Sequence, residues 1–161
     1  MRRAMIAAAT LALWAAHGSA GAAQQAGQAA AEAPVVAEAR SFMAAYAEDL
    51  RRGNRAGIAA RYDRRGAYMM GRGAKDELSH AQLVATYASP SWQPPAAFEW
   101  RNLSYEPLGP DAVAVVGQFA WTRAAGQAPL VFSYTGLLVR QDGVLRIRIE
   151  DEDPAPAPSR P

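Results

Sequence analysis

Apolar residues return at steps of three and four through Val35, Ala39, Phe42, Met43, Tyr46 and Leu50, the spacing of a single buried stripe on a helix. Pro34 suits the first turn of that helix, where a missing N–H costs nothing, and Gly53 suits the left-handed residue just past its end. Asn54 then caps a short second helix with Ile58 and Tyr62 on one side. The third helix is the most sharply marked. Ser79 and Gln82 have the spacing of a capping box, while Leu78 and Leu83 occupy the two positions of a hydrophobic staple. It should run to about Ala88 and stop before Pro90.

A lone early strand is expected at 67–71, between the second and third helices. Behind the third helix the period falls to two. Segments 98–105, 112–123, 130–140 and 144–151 are rich in Val, Phe, Tyr, Trp and Ile and are parted by Gly109-Pro110-Asp111, Ala125-Gly126-Gln127 and Gln141-Asp142-Gly143. Connections this short join antiparallel neighbours. In 112–121 both faces are apolar, since Val113, Val115, Phe119 and Trp121 alternate with Ala114, Val116 and Ala120. Helices would cover one face and leave the other for a second subunit. Three N-terminal helices packed on an antiparallel sheet make the fold class α+β.

The ends read differently. Met1-Arg2-Arg3 is followed by an apolar run from Ala4 to Ala16 and then by small residues around Ala20-Gly21-Ala22, the layout of a secretory signal. Its 13 apolar residues would rise only about 20 Å as a helix, short of the roughly 20 residues a span requires. The chain therefore divides into a signal segment at 1–22, a low-complexity linker at 23–33, one domain at 34–153 and a Pro-rich tail at 154–161. Export to the periplasm or the exterior is expected, without stable membrane insertion.

Export alters the charge balance. The full chain has 17 basic and 15 acidic residues, but Arg2 and Arg3 leave with the signal and the remainder is formally neutral. That is a poor surface for nucleic acid. With no cysteine at all, disulfides, thiol nucleophiles and thiolate metal sites are excluded. His80 is the one histidine left after the signal, so no multi-histidine metal site can form, and no cofactor motif is present. His80 itself sits beside a capping serine and reads as a surface or cap residue.

The element order, the junction Arg52-Gly53-Asn54-Arg55-Ala56-Gly57-Ile58-Ala59-Ala60-Arg61-Tyr62 and the ending Asp142-Gly143-Val144-Leu145-Arg146-Ile147-Arg148-Ile149-Glu150-Asp151 resemble the nuclear transport factor 2-like superfamily. Within it, the SnoaL-like and ketosteroid-isomerase-like small domains are the nearest in pattern. The resemblance implies a cystatin-like roll: a strongly curved sheet wrapped around helices as a cone, with a pocket in its mouth. It also implies roles by position. Tyr46, seven residues before Gly53, stands where ketosteroid isomerases carry an oxyanion-binding tyrosine. Met70, seventeen residues after it, stands where they carry an aspartate base, and a thioether cannot take a proton from carbon. The secreted branch of the family ends in tryptophan, isoleucine, histidine and serine at places that here read Leu145, Ile147, Asp151 and Asp153.

Unbroken alternation of Leu145, Ile147 and Ile149 would carry Asp151 to the pocket on the same face. The expected ligand-binding residues are thus Tyr46, Met70, Trp100, Arg148 and Asp151, with Asp151 and Tyr46 as the candidate catalytic pair, Trp100 as pocket wall and Arg148 as a partner for a substrate anion. Three functions stay open: an exported domain binding a small hydrophobic or amphipathic molecule, a cofactorless isomerase, cyclase or hydrolase using carboxylate chemistry, and a homodimeric interaction module.

Overall fold

The computed structural model describes residues 32–155. The expected signal, nearly all of the linker and the last six residues of the tail lie outside the described residues. Helix α1 runs Pro34–Arg52, α2 Arg55–Ala60 and α3 His80–Ala88. The strands are β1 Ala67–Gly71, β2 Ala74–Leu78, β3 Ala97–Pro107, β4 Ala112–Thr122, β5 Leu130–Gln141 and β6 Val144–Pro154.

Each helix forms for the reason its sequence gives. In α1, Pro34 occupies the first turn, the stripe from Val35 to Leu50 is buried, and Gly53 closes the end at φ 63°. The Asn54 side chain accepts the Gly57 N–H at the start of α2. Ser79 and Gln82 make both halves of the capping box on α3. Tyr62 falls past the end of α2, where it bridges to Ile147 instead of extending the helix.

The sheet has the order β2-β1-β6-β5-β4-β3. Its neighbours are antiparallel except β1 and β6, which run parallel. The sheet is therefore mixed, where a wholly antiparallel one was expected, because α3 and four strands intervene between those two partners. Strand β2 was not anticipated. Its Ala74-Lys75-Asp76-Glu77-Leu78 has no apolar alternation because it is an exposed edge strand, paired to β1 through Arg72 and Gly73 at φ 52° and 78°. Strand β6 also extends through Pro154, so the tail begins later than its prolines suggest.

The decisive irregularity lies in β6. Leu138 of β5 pairs with Ile147, but the adjacent Leu137 pairs with Ile149, so Arg148 is one residue more than the ladder can hold. This is a β-bulge, and it reverses the facing of everything after it. Leu145 and Ile147 are buried before the bulge; after it the buried residue is Glu150. The bulge is held from outside β6: Ile147 exchanges backbone bonds with Arg61 and Asp63, and Arg148 donates to the Gly66 carbonyl at 2.6 Å. A second irregularity bends β3 between Arg101 and Ser104, with Asn102 at φ 52°. The sheet curves strongly enough for β1, β3, β4 and β6 to face one hollow together with α1 and α3.

The chain's lack of cysteine makes the bulge directly testable by thiol labelling. Asp151→Cys should react with a maleimide in the folded protein, whereas Ile147→Cys should react only on unfolding. Equal protection of the two would mean that β6 alternates without a break.

Candidate functional site

Residues far apart in sequence converge on the hollow of the cone. Its cavity measures about 150 Å³ and is walled by Trp92, Phe98, Trp100, Phe119 and Trp121, with Tyr46, Leu50, Met69 and Tyr87 also in contact and Glu150 and Glu152 as its only charged side chains. The aromatic wall is ordered edge to face: Phe98 meets Trp100 at 4.8 Å and 88°, and Trp100 meets Phe119 at 5.7 Å and 83°. The Trp100 indole N–H is committed to the Met43 carbonyl at 2.9 Å, which ties β3 to α1. Arg55 fixes the opposite wall, donating to the carbonyls of Tyr87, Ser89 and Trp92 at 2.6 to 2.8 Å while lying 5.1 Å over the Trp92 ring.

Glu150 is 2 % exposed, and three tyrosines surround it. Tyr62 donates to Oε2 at 2.5 Å, Tyr46 stands 3.4 Å from Oε1 and 3.0 Å from the Tyr62 hydroxyl, and Tyr87 lies 2.6 Å from Tyr62. Each hydroxyl has one proton. With the Tyr62 proton given to Glu150, Tyr87 must donate to Tyr62, and Tyr46 donates to either neighbour. All donors therefore point towards Glu150, which is the terminal acceptor. Burial, followed by the charge of Glu150, holds Tyr46 and Tyr62 well above the ordinary phenol value, so they remain donors. A fourth hydroxyl, that of Tyr134, is buried beside Glu150 and helps to hold its carboxylate without closing a hydrogen bond of ordinary length. Gly136 makes room for it, because a β-carbon there would stand 2.5 Å from that oxygen.

Glu152 is two residues further along the same face. Its carboxyl makes no hydrogen bond or ion pair among the described residues and is partly exposed at the cavity rim, although protein surrounds it closely. Burial pushes the Glu150 carboxyl up, and the tyrosine hydrogen bonds pull it part of the way back. Glu152 lacks that relief: burial, then the charges of Glu150 and Asp151, push its carboxyl well above the glutamate range. Both carboxyls are thus held above the glutamate range, Glu150 with tyrosine donors to offset its burial and Glu152 without them.

The expected site residues divide. Tyr46 and Trp100 line the cavity. Met70 is 37 % exposed and on the other face of β1, where it pairs with Asp151, and the cavity contact there is Met69. The expectation for Asp151 is corrected by the bulge, which turns it outward opposite the exposed Thr135, so Asp151 and Tyr46 do not share a cavity. Arg148, the bulged residue, lies 4.8 Å over the outer ring of Tyr68, 3.8 Å from Glu77. Glu150, Glu152, Tyr62 and Tyr87 were missed. Their signal is three tyrosines on three helical segments facing one acidic strand end, and it becomes readable only with the bulge known.

Two larger hollows are open surface grooves. One of about 450 Å³ lies at Pro34, Glu38 and Arg140, whose guanidinium is taken up by Glu38 and Asp111. The other, about 370 Å³, lies between α2 and α3 beside His80. Neither gathers carboxylates and hydroxyls as the cone does. Among the described residues no group of three or more His, Cys, Asp or Glu is placed to hold a metal ion.

No family model and no curated protein matches the chain in sequence. Solved structures do match in fold. An NTF-2-like protein of unknown function from Shewanella oneidensis has TM-score 0.65 at 14 % identity over 74 % of this chain and 98 % of that one. A protein of unknown function with a cystatin-like fold from Nostoc punctiforme has TM-score 0.62 at 9 % identity over 74 % and 90 %. A ketosteroid isomerase-like protein from Erwinia carotovora atroseptica has TM-score 0.58 at 16 % identity over 75 % and 96 %. The chain has the nuclear transport factor 2-like, cystatin-like cone fold.

Tyr62→Phe removes the shortest bond to Glu150 and leaves the Tyr87 hydroxyl without its acceptor. Stability measured by denaturant should fall by about 1–3 kcal/mol. The glutamates also predict a pH dependence of definite sign. A carboxyl raised in the folded state binds its proton more tightly there than in the unfolded chain, so stability falls as pH rises from the ordinary 4.5 through the raised value. Glu152→Gln removes this loss. Denaturant midpoints should favour the variant at neutral pH and converge with the parent at about pH 4.

Proposed function

We propose that the domain is an exported small-molecule-binding module whose site is the cone cavity, with Glu152 as the group that exchanges a proton with the bound molecule. One observation carries this reading. An aromatic hollow ends on two glutamates, of which Glu150 already has its donors and Glu152 has none from the protein. A carboxylic acid at the rim of a low-dielectric cavity can protonate or deprotonate a ligand that the rings hold against it. The cavity's size limits the ligand to about the bulk of one six-membered ring, since a hollow of 150 Å³ holds benzene.

The same pair gives specific support to a second reading, a cofactorless acid–base enzyme. The ketosteroid isomerase-like protein from Erwinia carotovora atroseptica shares the cone, but here Met69 and Met70 occupy the stretch of β1 where an isomerase of that kind would need its base. Any proton transfer would run through Glu152 instead. Dimerisation through the outer face of the sheet is part of the proposal. Its support is Val116 at 50 % exposure, flanked by the half-covered Ala114, Leu137 and Val139. Export is supported by the charged start, the short apolar run and the small residues up to Ala22.

Native mass spectrometry of protein taken from its own compartment tests these parts together. The expected protomer begins at Ala23 or Gln24, assembles as a dimer, and carries a small molecule that Glu152→Gln no longer retains. A chain still beginning at Met1 would sink export, and a monomer at micromolar concentration would sink dimerisation. Equal retention by the variant would remove Glu152 from the site.

A further inference from the structure

The lining of the cone is one-sided in charge. It includes two glutamates and no arginine, lysine or histidine. The nearby guanidiniums are occupied elsewhere: Arg61 is ion-paired with Asp49 behind the Phe42 and Tyr46 rings, and Arg55 is bound to three carbonyls. Among the described residues no ion pair reaches Glu150 or Glu152. A protein usually balances buried carboxylates with its own cations, and this one has left them unbalanced beside an open volume.

The remaining wall favours the same sign of charge. Trp92, Trp100, Trp121, Tyr87, Phe98 and Phe119 bound the cavity, and the faces of aromatic rings carry partial negative charge that attracts cations. Trp100 spends its one N–H on Met43, so it offers the cavity no donor for an anion. A bare metal ion fits poorly, because it would need more oxygen ligands than this site converges.

We infer that the cone selects a compact organic cation, a protonated amine or small quaternary ammonium with about one ring's bulk, whose charge sits between Glu150 and Glu152 and whose apolar body lies against the aromatic wall. The inference rests on the small-molecule reading above and adds the ligand's chemical class. The positive group takes the place of the proton that the pair otherwise holds. Binding therefore releases a proton, and affinity rises with pH until the pair is fully ionised. The titratable groups facing that charge are Tyr46 from α1, Tyr62 after α2, Tyr87 from α3, Tyr134 from β5 and the two glutamates of β6. The tyrosines stay protonated throughout, so the released proton comes from the carboxyl pair.

Three probes of nearly equal shape separate the possibilities: benzylamine, benzyl alcohol and benzoate, titrated calorimetrically near neutral pH in buffers of different ionisation enthalpy. Benzylamine should bind at least about tenfold more tightly than benzyl alcohol, with a buffer-dependent heat that reports proton release, and benzoate should not bind. Glu152→Gln should cost benzylamine about tenfold or more, abolish the proton release and leave benzyl alcohol within about threefold. If benzyl alcohol or benzoate binds as tightly as benzylamine, the cation assignment is overturned while the small-molecule site stands. If none binds at millimolar concentration, and tetramethylammonium does not either, the site reading falls together with it.

Discussion

Glu150 occupies a place where an apolar residue would be expected. Leu145 and Ile147 precede it on the inner side of the same strand, the tyrosine layer covers it, and only its cavity edge is left open. An ionised carboxylate in such surroundings costs several kcal/mol unless donors replace its lost hydration. Those donors come from α1, from the turn after α2 and from α3, so the carboxylate dictates how three helical segments must lie on the sheet. Tyr62 shows the dependence most plainly. It leaves its helix to bridge β6 through the backbone at Ile147, and the same placement delivers its hydroxyl to Glu150.

The arrangement of Glu150 explains how much the sequence disclosed. The stripe from Val35 to Leu50, the cap at Asn54 and the box at Ser79 and Gln82 are local signals, decided within a few residues, and each formed as its spacing indicated. Strands β3 to β6 were legible for a related reason, because alternation and turn chemistry agree there. Strand β2 was not, since an exposed edge strand has no buried face to impose a pattern on Lys75, Asp76 and Glu77. The bulge at Arg148 was hidden as well. Leu145, Ile147 and Ile149 read as three beats of one period, and nothing in them marks that the third beat falls on the other side.

That single extra residue accounts for the error at the site. Tyr46 and Trp100 belong to elements without a break between their signals and their cavity positions, and both reach the hollow. Asp151 lies beyond the bulge and does not. The physical cause of the bulge is long-range: Arg61 and Asp63 take the backbone groups of Ile147, Gly66 takes the Arg148 guanidinium, and these partners lie more than eighty residues earlier in the chain. A pattern read along one strand cannot register a bond made from so far away.

The acidic end of β6 contains two carboxylate pairs in opposite phase, Glu150 with Glu152 inside and Asp151 with Asp153 outside. The bulge selects between them. A strand straightened at Arg148 would present the two aspartates to the cone and turn the glutamates to the surface, so the hollow would keep its charge while its acids withdrew by one methylene each. A slip of one residue in the register of a core strand ordinarily exchanges apolar for polar and destroys the interior. Here it would exchange one acid pair for another, giving evolution a way to change the reach of the site's chemistry without first giving up its charge.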